Sequence, residues 1–275
     1  MKADRRTHPY SGRVAHVSLR GQIEAESFSE GSPARLGVPL ADLCATPFGR
    51  RERQLLLGAA LTVLDRRDGA AFVISALDGF CGWVAESALA APQDATHWVS
   101  APASHLYPEP QVKTRETAAL SIGARVRVVG EQGKFLQTAD GAFIPRMHLR
   151  ALGDWATDPV AVAESLLGTP YLWGGNSHAG IDCSGLVQVS LSACGIACPA
   201  DSDQQCDALG ATLPEAAAPR RGDLFFWPGH VAMAVSDSEI IHANGATMSV
   251  AYEGVEAALA RIAASDAPLQ CLKRL

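Results

Sequence analysis

The sequence has no long hydrophobic run. A representative apolar stretch, Leu55 to Leu64, is ten residues with Thr62 inside it and lies between Arg53 and Asp65. A helix that spans a bilayer needs about 20. Excess positive charge is also missing: 23 Lys and Arg stand against 29 Asp and Glu, a net charge of −6. That balance speaks against nucleic acid or an anionic membrane surface as a partner. The opening residues, Met1-Lys2-Ala3-Asp4-Arg5-Arg6, run into His8, Pro9 and Tyr10 with no apolar segment. The expectation is no signal peptide and a cytoplasmic location. The cysteines form an odd set of seven: Cys44, Cys81, Cys183, Cys194, Cys198, Cys206 and Cys271. A disulfide framework is a poor reading of such a set, and reduced thiols a better one. Most should be small buried hydrophobes, which leaves room for one functional thiol.

What is present is enough apolar residue, 48% against 19% charged, to build ordinary cores. The 25 glycines and 16 prolines imply many turns. Residues 1 to about 50 are turn-rich, with a strand-like run at Val14 to Leu19 and a loop at Ser29 to Pro33. A β pattern follows. Leu61 to Leu64 reads as a strand, Arg67-Asp68-Gly69 as a turn, and Ala71 to Ser75 as a strand. Asp78-Gly79 is a turn and Phe80 to Val84 the next strand. The same order recurs about 60 residues later. Gly58 matches Gly123, Val63 matches Val128, Gly69 matches Gly133 and Phe72 matches Phe135. Asp78-Gly79 matches Asp140-Gly141, and Leu89 matches Leu149. Two copies are too few for a solenoid, so the expectation is two small β-barrels in tandem.

After Gly153 the pattern changes to that of an α+β domain. Asp158-Pro159 has the chemistry of a helix start, and Val160 to Leu167 reads as a short helix ended by Gly168. Next comes Gly168-Thr-Pro-Tyr-Leu-Trp-Gly-Gly-Asn176, then Gly180-Ile-Asp-Cys-Ser-Gly-Leu-Val187. Leu186, Val187 and Leu191 have helical spacing, and Gly195 sits where a terminating glycine belongs. Cys183 is thus expected in the first turn of a helix, where free N–H groups and the dipole favour a thiolate. Asp223 to Trp227, His230 to Val235 and Ile240 to Ala243 read as strands. The hairpin between the last two brings His230 and His242 toward one open end. One histidine could serve as base for Cys183 and the other could orient it.

These motifs resemble the NlpC/p60 family of cysteine peptidases. The family's Pro-Tyr-x-Trp-Gly-Gly is Pro170 to Gly175, its Asp-Cys-Ser-Gly is Asp182 to Gly185, and its Gly-Asp-Leu is Gly222 to Leu224. Its Gly-His-Val is Gly229 to Val231, and its last histidine is His242. The segment ending in Gly82-Trp83-Val84 resembles the bacterial SH3-like domain. The resemblance implies an α+β fold: a papain-like catalytic domain over 153–275, preceded by two SH3-like barrels. The first barrel, with the N-terminal arm, takes 1–92 and the second 93–152.

The resemblance also implies roles. Cys183 is the nucleophile, His230 the general base and His242 the group that orients it. Tyr171 supplies an oxyanion donor beside the backbone N–H of Cys183. Asp182, Ser184 and Ser202 line the substrate pocket, and Ala200 departs from the family's common arginine there. Glu86 is the carboxylate taken from the first barrel. The layout is similar to γ-D-glutamyl-L-diamino-acid endopeptidases, which process murein tripeptides and tetrapeptides with a free N-terminal L-Ala. In those enzymes the first SH3-like domain covers one end of the cleft, and L-Ala-D-Glu is released in wall recycling. No cofactor, metal or obligate protein partner is implied.

Other readings compete. One is a wall hydrolase acting on intact peptidoglycan, and another is a non-catalytic wall-peptide-binding protein. The intact Cys183, His230 and His242 argue against the second. A zinc site on Cys194, Cys198 and Cys206 has spacing that no standard zinc pattern uses.

Overall fold

The computed structural model describes residues 4–214, 216–265 and 267–275. The start of the basic opening segment, Met1 to Ala3, lies outside the described residues. The chain divides into two compact units, Met1–Leu152 and Gly153–Leu275. Each is taken by itself.

The N-terminal unit is built almost wholly of strands. Its largest sheet has seven, in the order Arg51–Leu56, Leu40–Cys44, Cys81–Ala85, Ala70–Ser75, Ala60–Arg67, Ser32–Leu36 and Leu89–Ala90. Asp68 and Gly69 join two of these strands with φ of 54° and 79°. That is the backbone a two-residue hairpin needs, and Asp-Gly adopts it readily. Trp83 is buried against Phe72, with ring centroids 5.4 Å apart and the rings edge to face. The Arg67 guanidinium lies 5.0 Å from the Trp83 ring centroid. Gly82 is required beside it, because a Cβ there would stand 2.9 Å from both the Cys44 carbonyl and Leu43 Cγ.

Residues 97–151 form three smaller sheets: Arg125–Val126, His97–Val99 and Leu149–Ala151; Ala103–Leu106 with Ala118–Ser121; and Val128–Gln132, Phe135–Thr138 and Phe143–Pro145. The internal repeat is visible in the backbone. Gly58 and Gly123, Gly69 and Gly133, and Gly79 and Gly141 all have positive φ. Each copy also ends in a single 3₁₀ turn, Glu86–Ala88 or Arg146–His148, which leads into a short strand at Leu89 or Leu149. Leu57 packs with Val99, Leu120 and Ile144, so the second copy's core takes in a residue from the first.

The C-terminal unit holds all four α-helices found among the described residues. They are α1 (Pro159–Glu164), α2 (Cys183–Ala193), α3 (Ser202–Ala208) and α4 (Val255–Ser265). The helix start at Asp158-Pro159 has the expected form: Asp158 accepts from the Val160 N–H at 2.9 Å. The helix stops at Glu164 instead of Leu167. The Ser165 hydroxyl bonds the Val162 carbonyl at 2.6 Å, which favours a turn at that point. Among the described residues no helix is long and apolar enough to cross a membrane.

A six-stranded antiparallel sheet backs the unit. Its order is Ala211–Thr212, Cys271–Arg274, Leu224–Trp227, His230–Ala234, Glu239–Asn244 and Ser249–Gly254. The three predicted strands are there. The strand Ser249–Gly254, the helix α4 and the strand Cys271–Arg274 went unread. α4 turns Val255, Ala258 and Ile262 inward, where they pack with Phe225, Trp227, Ala232 and Ile240 of the sheet. Pro228-Gly229 joins Trp227 to His230, with Gly229 at φ 74°; proline followed by a positive-φ glycine is the pattern of a type II turn. This turn fixes where the His230 strand begins.

Candidate active site

Close backbone approach explains the glycines around Cys183. A Cβ on Gly175 would stand 2.5 Å from the Gly180 carbonyl oxygen, and one on Gly185 would stand 2.5 Å from the Gly175 carbonyl oxygen. The Pro-Tyr segment is stitched in on both sides: Pro170 bridges Ser249 and Tyr171 bridges Ile181. The Tyr171 N–H also donates to the Met248 carbonyl at 2.9 Å.

Asp182 caps α2. Its Oδ1 accepts from the Gly185 N–H at 2.7 Å and the Ser184 hydroxyl at 3.0 Å, and its Oδ2 accepts from the Gly174 N–H at 2.7 Å. The carboxylate thus locks the Gly174 loop to the first turn of the helix. Burial still raises its pKa above the ordinary carboxylate value. Ser184 and Ser202 are both buried. Ser202 opens α3, and Gln205 of the same helix donates to the carbonyls of Ser184 at 2.9 Å and Pro199 at 3.0 Å. This link between α2 and α3 was not foreseen. Glu86 lies in the N-terminal unit, half-exposed, with Arg66 Nε at 2.7 Å from its Oε1.

Cys183 is the first residue of α2 and is buried. Burial, reinforced by the Asp182 carboxylate, pushes its thiol up to about 12. The backbone N–H groups of Val231, Ser184 and Cys183 itself pull the other way. Desolvation outweighs the favourable N–H groups, so the thiol needs a base to take its proton. The backbone N–H of Val231, the residue after His230, lies beside this sulfur. Tyr171 is half-buried, and its phenol is also pushed up to about 12, mainly by burial and further by Cys183 and Asp182. It stays a hydroxyl, able to donate.

The two histidines meet. His230 Nε2 lies 2.9 Å from His242 Nδ1, and the ring centroids are 5.1 Å apart. Trp227 borders His230 with ring centroids 5.6 Å apart. His242 is fully buried, and its Nε2 lies 3.0 Å from Glu253 Oε2. The approach is oblique, so the contact is more electrostatic than a straight hydrogen bond. Arg261 on α4 holds Glu253 through both oxygens, at 2.8 Å each. Its hydrogen bonds keep Glu253 below the usual carboxylate range. Sequence reading missed Glu253 and Arg261, because only the register reveals them. His242 pairs with Ala251, so Glu253, two residues on, shares its face.

Burial drops His242 to about 4, from an ordinary 6.5. The sign follows. Below pH 6.5 the unfolded chain protonates this ring and the folded chain does not, so stability falls as the pH drops from 6.5 toward 4. The loss from this group is about 2–3 kcal/mol by pH 4.5. Urea unfolding at pH 7.5 and 4.5, compared between wild type and His242→Gln, should show this increment in the wild type only. An equal pH loss in both proteins would refute it.

The family model described as NlpC/P60 family matches residues 168–261, and that of a bacterial dipeptidyl-peptidase SH3 domain matches residues 43–89. A γ-D-glutamyl-L-lysine dipeptidyl-peptidase of Bacillus cereus is 28% identical over 241 residues, covering 76% of this chain and 72% of that protein. The peptidoglycan endopeptidase RipB of Mycobacterium tuberculosis is 32% identical over 138 residues, covering 44% of this chain and 55% of RipB. The crystal structure of an NlpC/P60 family protein from Bacillus cereus superposes with a TM-score of 0.73 at 22% identity, over 88% of this chain and 99% of that one. At that identity the likeness speaks for the fold. The match over 168–261 spans the Cys183 loop, both histidines and Arg261: the C-terminal unit carries an NlpC/P60 domain, that of a cysteine peptidase, and the N-terminal unit carries an SH3-type domain.

Proposed function

We propose that this peptidase hydrolyses the γ-D-glutamyl–L-diamino-acid bond of murein peptides whose N-terminal L-Ala amine is free, releasing L-Ala-D-Glu. The observation that carries it is the His230–His242 pair at 2.9 Å, whose strand starts next to the residue that borders the Cys183 sulfur. The named activity of the Bacillus cereus relative supports the choice of bond. The alternative, cleavage within intact peptidoglycan, has support in the name of RipB.

In the proposed cycle His230 takes the Cys183 proton, and the thiolate attacks the γ-carbonyl carbon of D-Glu. The Tyr171 hydroxyl and the Cys183 N–H receive the developing oxyanion. The C–N bond breaks as His230 returns the proton to the departing α-amine. A thioester remains on Cys183. Water, deprotonated by His230, then attacks it; the acid leaves and the thiol is restored. Asp182, Ser184 and Ser202 are the pocket groups proposed for the L-Ala end. The ammonium suits a buried carboxylate that already faces several donors. The assignment of Glu86 to the same amine rests on the resemblance alone, as do the recycling role, the cytoplasmic location and the reading of residues 93–152 as a second SH3-like domain.

The test compares L-Ala-γ-D-Glu-L-lysine, its diaminopimelate counterpart and their N-acetylated forms. Removing the ammonium should cost about 100-fold in kcat/KM, the scale of one lost charge contact in a desolvated site. Equal cleavage of free and acetylated peptides would favour the intact-wall alternative.

A further inference from the structure

The chain of polar contacts does not end at His242. Glu253 Oε2 faces the far ring nitrogen, and Arg261 reaches across from α4 to grip both of its oxygens. His242 is therefore met by His230 from the neighbouring strand, by Glu253 from the strand on its other side, and by Arg261 behind Glu253. A carboxylate 3.0 Å from a ring nitrogen repels a lone pair and attracts a proton. It selects the tautomer with hydrogen on Nε2, even along an oblique approach. The other nitrogen, Nδ1, is then an acceptor.

We propose that Glu253, clamped by Arg261, is a positioning residue that fixes His242 as the Nε2–H imidazole, so that His242 Nδ1 accepts from His230 Nε2 and the Nδ1 of His230 is left to take the Cys183 proton. This rests on the roles given above to Cys183 and His230. The two outer residues do different things. Glu253 sets the tautomer. Arg261 offsets the charge of Glu253, so that the carboxylate orients His242 without protonating it; burial and Arg261 lower the ring's proton affinity while Glu253 raises it. A protonated His242 would donate from Nδ1 to Nε2 of His230 and leave the hydrogen of His230 on its Nδ1, which could then not take the Cys183 proton.

The test is kinetic and spectroscopic, on the full chain with L-Ala-γ-D-Glu-L-lysine. Glu253→Leu should lower kcat about tenfold or more with KM within about twofold, because the tautomer is no longer set. Glu253→Gln, whose amide oxygen can still accept from Nε2–H, should recover part of the loss. Arg261→Met should move the acid limb of kcat/KM upward by about one pH unit, since Glu253 is then uncompensated. The double variant Glu253→Gln/Arg261→Met should bring the limb back to that of Glu253→Gln. Side-chain ¹⁵N NMR in the Cys183→Ala background should report His242 protonated on Nε2, and a tautomer mixture once Glu253→Leu is added. An unmoved acid limb in Arg261→Met, or an unchanged tautomer in Glu253→Leu, would overturn the proposal. If Cys183→Ala keeps its activity, the functional reading fails instead, whatever these variants do.

Discussion

Cys183→Ala should abolish hydrolysis, lowering kcat by roughly 10⁴-fold or more, the scale seen when a covalent nucleophile is removed. The expectation follows from where the sulfur sits. It opens α2, beside Asp182 and Tyr171 and next to the backbone of Val231. The change removes one buried sulfur and leaves the cap of Asp182 on Gly185 in place, so folding should persist. Unfolding curves that overlay, with activity lost, separate chemistry from stability. Full activity would remove Cys183 from the mechanism.

Gly185→Ala is the second large effect. A Cβ there would lie 2.5 Å from the Gly175 carbonyl oxygen and 3.1 Å from Asp182 Oδ1. Both neighbours are fixed, the first as a backbone atom and the second as the helix cap. The first turn of α2 must move, and it carries Cys183. Displacing a reacting atom by about 1 Å can cost 10²-fold, so kcat/KM should drop by about that factor. Overpacking adds a stability loss of about 1–3 kcal/mol. Gly245→Ala is the matched control, since nothing stands within 4 Å of its added Cβ. Equal behaviour of the two variants would contradict the close-packed reading of the Asp-Cys-Ser-Gly turn.

Much of this was legible in the sequence. The caps of α1 and α2, the Asp68-Gly69 hairpin and the strands flanking Pro228-Gly229 are local features, written in residues a few positions apart. The turns at Gly58, Gly69 and Gly79 and at Gly123, Gly133 and Gly141 were legible too, because glycine marks positive φ there. Cys183, His230 and His242 stood out from motif spacing. What was hidden depends on long-range register or on burial. The proximity of Glu253 to His242 follows from pairing between strands, and the clamp by Arg261 from the docking of α4. The depth of Cys183 was hidden as well: the sequence shows the helix start but not the burial that raises its thiol against the favourable N–H groups. The tie from Gln205 to Ser184 likewise needs α3 and α2 in place.

The most direct test of the account is product analysis. Purified protein is incubated with L-Ala-γ-D-Glu-L-lysine and its diaminopimelate counterpart, and the peptides are resolved by mass spectrometry. The account predicts L-Ala-D-Glu and the free diamino acid from at least one of them with wild-type protein, and neither product with Cys183→Ser. Cleavage between L-Ala and D-Glu, or undiminished hydrolysis by Cys183→Ser, would contradict it.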